Sequence, residues 1–531
     1  ASSSFGYGSA MKENLAGIED YTRVVSLYQP EQIVKYGELT LRENQIAYAD
    51  PGFFRLFDFE LVKGDKATCL SMPRQVVITE RIARKYFQDE DPIGKILIFT
   101  GPYDKVVCEV TGVMKEMPSN SHIHYNFLIS YKSLGQYLHD YWYKHEVYTY
   151  VLLDSPERKE EIEKAFPAMS EKYKTDEALK NKIWGVSLTP LADIHLKPQV
   201  GYEAEIKGNR TAMIALIFAA IAILAIAWIN YINLTVARSM ERAKEVGVRR
   251  VIGAFRKQLV SQFLFEALVM NLVALVLAVG LIELILPYFN QLVSRTVTFS
   301  VWLTGYWWLL LLIVFVGGIF LSGYYPALAL LNRKPITLLK GKFLNSKSGE
   351  GTRKVLVVVQ YTASMILLCG TLIVFAQLNF MRNQSLGVKT DQTLVVKFPG
   401  RTEGMNTKLE AMKKAIARLP LVDKVTFSGA VPGEEVATFL SNRRKSDALK
   451  QNRLYEMLVC DPDYIDAYGL QLVAGRGFSE DYGDDVNKLV VNESAVRNLG
   501  IASNEEALGE EIEVECTDAP MQIIGVVKDY H

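Results

Sequence analysis

No G-x-x-x-x-G-K-[ST] segment occurs in this chain, so no P-loop is present to cradle ATP phosphates. H-E-x-x-H and G-x-S-x-G are also missing, which removes the commonest metalloprotease and hydrolase signatures. Cysteine is scarce: five in 531 residues, with no C-x-x-C or other metal-ligand spacing. Cys69, Cys108, Cys369, Cys460 and Cys516 each sit in or beside an apolar run. They are expected as buried free thiols, although the four outside the spans could pair in an oxidising compartment. Among only six histidines, His122 and His124 are spaced to share one face of a strand, where a metal is conceivable. No Cys or third His stands nearby, and a solvated edge is the expected role. The sequence thus points to no catalytic residue, no metal and no cofactor. Net charge is also lacking, with 59 basic against 59 acidic residues, so no bulk field points to nucleic acid.

The balance hides strong segregation. Thr211 to Ala237, Thr296 to Asn332 and Val355 to Met381 carry no Asp, Glu, Lys or Arg. Each exceeds the roughly 20 apolar residues that cross a bilayer core as a helix. Gln258 to Ser294 is equally apolar except for Glu266 and Glu283. Buried charge is costly in a span, and both lie near its ends, so snorkelling or helix pairing is expected rather than a proton relay.

Charge bias orients these spans. Arg238, Arg242, Lys244, Arg249, Arg250, Arg256 and Lys257 crowd the loop between the first and second. Arg333, Lys334, Lys340, Lys342, Lys347, Arg353 and Lys354 crowd the link before the fourth, whereas the loop near 291–304 carries only Arg295. Basic loops stay cytoplasmic, which places both soluble regions outside. A cysteine introduced at Ser346 should therefore be labelled only from the cytoplasm, and one at Ser119 or Ser503 only from outside. Labelling of Ser119 from the cytoplasmic side would overturn the membrane assignment.

The soluble regions repeat one another in order. "DPGFFRLFDFELVKG" (50–64) matches "DPDYIDAYGLQLVAG" (461–475), and "QVVITERIA" (75–83) matches "KLVVNESAV" (488–496). "DPIGKIL" (91–97) echoes "EALGEEI" (506–512), and "VTGVMKE" (110–116) echoes "IIGVVKD" (523–529). "SAMKENLAGIEDYTRV" near the start resembles "EAMKKAIARLPLVDKV" (410–425). Thr79 and Asn492 occupy the expected N-cap position of a helix in each copy. Strands at Lys105 to Met114 and Met521 to Val527 and an amphipathic helix at Glu157 to Tyr173 make each copy an α+β domain. The pattern is a tandem duplication of one unit, soluble domain then membrane helices.

The fold class is therefore a multi-domain membrane protein, transmembrane α-helices plus two duplicated α+β domains. Residues 1–208 form the first soluble domain. Residues 209–332 hold three spans, with a basic segment at 238–257 between the first two. Residues 333–354 link to a span at 355–381 that opens the second repeat, and 382–531 form the second soluble domain. A complete duplication predicts a span before residue 1 and three after His531, hence a fragment of an eight-span protein. A full reading frame is expected to encode those stretches.

The basic segment "AKEVGVRRVIGAFRKQL" (243–259) is amphipathic. Val248, Val251, Ile252, Phe255 and Leu259 share one face of a continuous helical wheel, with Arg242, Arg249 and Arg256 beside it. Such a helix can lie on anionic lipid or dock on a cytoplasmic partner. Gly247 and Gly253 weaken a free helix but permit close approach, and the residues alone leave the two open.

"RSMERAKEVGVRRVIGAFRKQLVSQFLFEAL" resembles the cytoplasmic segment of FtsX/MacB-type ABC transporter permeases. "SGYYPALALLNRKPITLLKGKF" resembles the next membrane helix of that family and its exit. "RKVLVVVQYTASMILLCGTLIVFAQLNFMRNQSLG" looks like the first helix of a second half, and the soluble domains resemble the family's periplasmic core domain. The tandem arrangement is similar to a duplicated eight-span subtype common in Bacteroidota.

The resemblance implies a bacterial inner-membrane permease with no enzymatic activity of its own, ATP acting through a separate ATPase subunit. It implies a second permease copy or homologue and a periplasmic adaptor or substrate protein as further partners. Efflux of drugs or peptides, lipoprotein extraction and mechanotransmission are all known in the family. It also makes the segment a coupling helix docked in an ATPase groove, over Arg242, Lys244, Glu245, Val246, Gly247, Val248, Arg249, Arg250, Val251, Ile252, Gly253, Ala254, Phe255 and Arg256. Val248, Ile252 and Phe255 would fill the groove, while Arg242, Arg249 and Arg256 would meet acidic residues at its rim. The rival reading is a membrane-anchored periplasmic sensor without transport, which needs no such docking element.

Overall fold

The computed structural model describes residues 3–530 apart from 27–30, 102–104, 119, 136–141, 143–144, 175–183, 197–207, 242, 294–296, 301–304, 332–346, 398–404, 435, 437–438, 448–452, 483–484, 516 and 518. Two compact units emerge: Ala1–Gly208 with Ser385–His531, and Asn209–Gln384.

In the first soluble domain, "QVVIT" forms the strand Gln75–Thr79, parallel to Lys105–Met114 and antiparallel to Phe127–Ser130. Val76 and Ile78 pack into one hydrophobic core and Val77 into another, so the sheet is covered on both faces. Two-sided burial explains why the strand reads as a continuous apolar run rather than an alternation. The expected amphipathic helix is Arg158–Glu171, whose Phe166 enters a cluster with Tyr7, Trp142 and Trp184. Trp142 and Trp184 stack with ring centroids 5.4 Å apart.

The second soluble domain repeats this topology. Lys488–Asn492 runs parallel to Met521–Val527, as Gln75–Thr79 does to Lys105–Met114. Leu472–Gly475 and Glu511–Val514 flank Met521–Val527 antiparallel, matching Leu61–Lys63 and Ile96–Thr100 around Lys105–Met114. Each parallel ladder slips at the same place, leaving Thr111 unpaired in one copy and Ile524 in the other. A glycine with positive φ abuts each slip, Gly64 at +96° and Gly475 at +70°. A Cβ there would lie 2.5 Å from the Thr111 carbonyl oxygen and 2.2 Å from that of Ile524. Only glycine fits on both counts. The duplication seen in the sequence is therefore a duplication of backbone detail.

The helix starts agree in part with expectation. Thr79 and Asn492 both precede a helix in extended conformation. The Asn492 side chain accepts the Ala495 N–H at 3.0 Å, as an N-cap should. The Thr79 hydroxyl does not cap: it is buried without a partner. A carboxylate after the central strand takes up a free amide instead, in both copies. Glu116 accepts the Arg81 N–H at 2.9 Å, and Asp529 accepts the Ser494 N–H at 2.8 Å. These acids end the repeated blocks "VTGVMKE" and "IIGVVKD".

Cys69 and Cys108 are buried free thiols, Cys460 is half-buried and free, and Cys369 is exposed on the fourth span; Cys516 lies outside the described residues. Burial pushes Cys108 up to about 12 and Cys69 up to about 11.

In the other unit, four helices among the described residues are long and apolar enough to cross a membrane. They lie in Arg210–Glu241, Arg256–Val293, Trp307–Leu331 and Lys347–Asn383. The second and third pack closely at Gly323, where a Cβ would stand 3.0 Å from Ala267 Cβ and 3.1 Å from Leu264 Cα. Asn271 Nδ2 donates to Ser322 Oγ at 3.3 Å across the same contact. Small residues and side-chain hydrogen bonds hold helices together where lipid removes the hydrophobic drive.

Candidate coupling site

The segment expected as one helix over 238–257 is three pieces. The first span helix continues to Glu241, a short helix spans Ala243–Val251, and the second span helix begins at Arg256. Gly253 makes the break: at φ +105° it adopts a conformation that favours glycine. The Ala254 N–H then bonds the Arg249 carbonyl at 2.9 Å, closing the short helix. Gln258 accepts the Phe255 N–H at 3.0 Å and so opens the next one.

This break changes the wheel. Leu259 does not share a face with Val248 and Ile252; it lies on the second span helix, buried with Val246, Phe263, Ala327 and Leu331. Beyond the break a single helical wheel no longer applies. Val246 and Gly247 are buried too, Val246 in that same cluster with the second and third span helices. The residues left bare are Val248, Val251, Ile252 and Phe255, of which Ile252 is 80% exposed and Phe255 74%. They form an apolar tip at the end of the short helix and its turn.

The polar side chains divide. Arg249 Nη2 donates to Glu245 at 2.6 Å, and its Nη1 donates to Gln262 on the second span helix at 2.9 Å. Gln262 Nε2 in turn donates to Glu266 at 3.3 Å. Glu245, Arg249, Gln262 and Glu266 line a recess of about 180 Å³. Glu266 is thus half-buried among polar groups, while Glu283 is exposed on the outer part of the helix. Arg250 Nη1 donates to the carbonyl of Leu331, the last residue of the third span helix, at 3.1 Å. Such terminal carbonyls lack intrahelical partners, and the guanidinium supplies one. Ala254 is half-buried and Arg256 exposed. Arg242 and the Lys244 side chain lie outside the described residues. Gln262 and the Leu331 carbonyl carried no signal in the sequence, since neither belongs to the basic segment.

No group of three or more His, Cys, Asp or Glu side chains among the described residues is placed to hold a metal ion. His122 is half-buried rather than solvated: its Nε2 lies 3.0 Å from the Tyr150 hydroxyl and its ring packs near Phe57. Burial, and then the neighbouring His124, lower its pKa below the usual histidine value.

Comparison with known proteins bears on both units. The model of the MacB-like periplasmic core domain matches residues 2–169 and again 364–531, and that of the FtsX-like permease C-terminal region matches 217–335. The chain is 32% identical over 133 residues to the "Macrolide export ATP-binding/permease protein MacB" of Campylobacter jejuni, covering 25% of this chain and 20% of that one. Identity to the protein of the same name from Neisseria meningitidis is 25% over 244 residues, covering 45% and 33%. The Bacillus subtilis "Uncharacterized ABC transporter permease YknZ" is 22% identical over 277 residues, covering 51% and 64%. Between a fifth and a third of the length of those two MacB relatives is thus spanned. Among solved structures, the periplasmic region of MacB from Actinobacillus actinomycetemcomitans is similar at 17% identity and TM-score 0.24, covering 31% of this chain and 72% of that one.

Proposed function

We propose a coupling role on one premise: the chain belongs to the FtsX/MacB-type family of ABC transporter permeases. Its duplicated core domains are of the periplasmic type, and its apolar helices make it a membrane protein. In this reading a separate ATPase subunit binds and hydrolyses ATP in the cytoplasm. The short helix Ala243–Val251 docks on that ATPase, and the span helices carry the motion to the periplasmic domains. The permease works as a lever in the bacterial inner membrane, catalyses no covalent step and holds no cofactor. A second permease copy or homologue completes the complex, with a periplasmic adaptor or substrate protein on the far side. Drug or peptide efflux, lipoprotein extraction and mechanotransmission all fit such a lever; macrolide export is named only for the MacB relatives.

The bare tip of Val248, Val251, Ile252 and Phe255 carries this reading. Fully burying each such side chain stabilises a contact by roughly 1.5–3 kcal/mol, which is enough to anchor a partner. Of the basic stripe Arg242, Arg249 and Arg256, Arg249 bonds Gln262 within the protein, which weakens the lipid-lying alternative.

Photocrosslinking tests the proposal. Benzoylphenylalanine placed at Phe255 of the intact protein in native membranes should capture an ATP-binding subunit. At Leu421, which is 98% exposed in the second soluble domain, it should not. Capture of lipid alone at Phe255 would sink the docking role.

A further inference from the structure

We infer that the short helix Ala243–Val251 moves as one body with the cytoplasmic ends of the second and third span helices, with Arg249 and Arg250 as its two struts. This deepens the coupling role proposed above and rests on it for its purpose, but not for its geometry. In the chain the short helix lies between the first and second span helices. The structure attaches it otherwise. Arg249 reaches Gln262 on the second span helix at 2.9 Å, and Arg250 reaches the Leu331 carbonyl of the third at 3.1 Å. Beside these bonds, Val246 is buried in one cluster with Leu259 and Phe263 of the second helix and Ala327 and Leu331 of the third. Two hydrogen bonds to different helices and one buried side chain restrain the short helix against tilting or rolling.

The two span helices are themselves joined. Gly323 lets their backbones approach, and Asn271 bonds Ser322 one turn further into the membrane. Force applied at the bare tip therefore enters the third span directly, although Leu331 lies 81 residues beyond Arg250 in the chain. Arg249 is then a positioning residue. Its guanidinium donates to Glu245 and Gln262 within the protein, a role beyond the groove-rim contact that the family resemblance implies for it.

The test uses the full chain in lipid nanodiscs, with Cys369, Cys460 and Cys516 changed to Ser and spin labels at Val251→Cys and Ile313→Cys. Both label positions are exposed, and along the helix axis Ile313 stands about 27 Å from Leu331 at 1.5 Å per residue. The unmutated body should give a single narrow distance distribution. Arg249→Gln with Arg250→Gln should broaden it at least two-fold, and Arg250→Lys alone, which still donates to a carbonyl, should keep it narrow. Gln262→Leu provides a second route: it removes the Arg249 acceptor without adding charge to the span, and should broaden the distribution partway. A broad distribution in the parent protein, or an unchanged width in both Gln262→Leu and the double variant, overturns the inference. Ile252→Asp alters only the bare tip and should leave the width unchanged. If that variant also retains its ATPase, the docking role fails while the strut geometry stands.

Discussion

Asp50→Ala lowers the stability of the first soluble domain by about 3–5 kcal/mol, the cost of removing one partner of a buried ion pair. Arg23 and Asp50 are only 8% and 10% exposed at their side chains. The carboxylate accepts from Arg23 Nε at 2.7 Å and Nη2 at 3.0 Å, and also from the Arg23 backbone N–H at 3.0 Å. The guanidinium also donates to the Phe5 carbonyl at 2.8 Å and lies over the Tyr131 ring at 3.9 Å, so the ion pair is built into the packing around it. Arg23→Met combined with Asp50→Leu should be far milder than Asp50→Ala, since replacing both partners of a buried pair by apolar groups is much less costly than removing one of them. The second copy provides an internal contrast. Asp461, at the matching position, accepts the Phe427 N–H at 3.1 Å and pairs with Lys413, with side-chain exposures of 16% and 18%. Being wetter, Asp461→Ala should cost about 1–3 kcal/mol. Urea unfolding of the full chain, followed by fluorescence from the stacked Trp142 and Trp184, measures the first. A loss below 1 kcal/mol in Asp50→Ala would show the pair to be peripheral to stability.

On the proposed docking role, Ile252→Asp separates the permease from an ATPase partner on purification. The residue is 80% exposed, so the substitution costs the free permease almost nothing and leaves insertion and topology intact. At a docked interface the same carboxylate would be buried without a partner, a loss of several kcal/mol and of orders of magnitude in affinity. Arg256→Ala, an exposed charge, should change binding by only about 0–1 kcal/mol and make the complex more salt-sensitive. Val246→Asp provides the opposite control. Val246 is buried between the span helices, so a charge there should disrupt the membrane unit itself. ATPase recovered with each variant, measured beside the parent, separates these cases. A full complement retained by Ile252→Asp would remove the docking role.

Much of the architecture is written in local pattern. Charge-free runs of helical length mark the spans because hydrocarbon penalises charge wherever a residue sits in the run. The repeated blocks mark the two soluble domains because each block is a strand or helix start whose sequence neighbours are its structural neighbours. That locality extends to Asn492, which caps the helix that follows it by accepting an N–H three residues away. It fails at Thr79, where Glu116 takes over from the end of a distant strand.

The coupling site divides along the same line. That a basic stretch with apolar residues stands between two spans was determined by the sequence alone, through spacing and charge bias. Which side chains face outward was decided only by the tertiary structure. Gly253 turns the chain into a left-handed conformation, so Leu259 leaves the face it shares with Ile252 on a continuous helix and joins the core. Arg249 and Arg250 find acceptors 13 and 81 residues along the chain. Hydropathy and spacing are sums over neighbours in sequence, while a hydrogen bond is set by neighbours in space. Where those two sets diverge, as they do at this junction of three helices, only the fold assigns each arginine its partner.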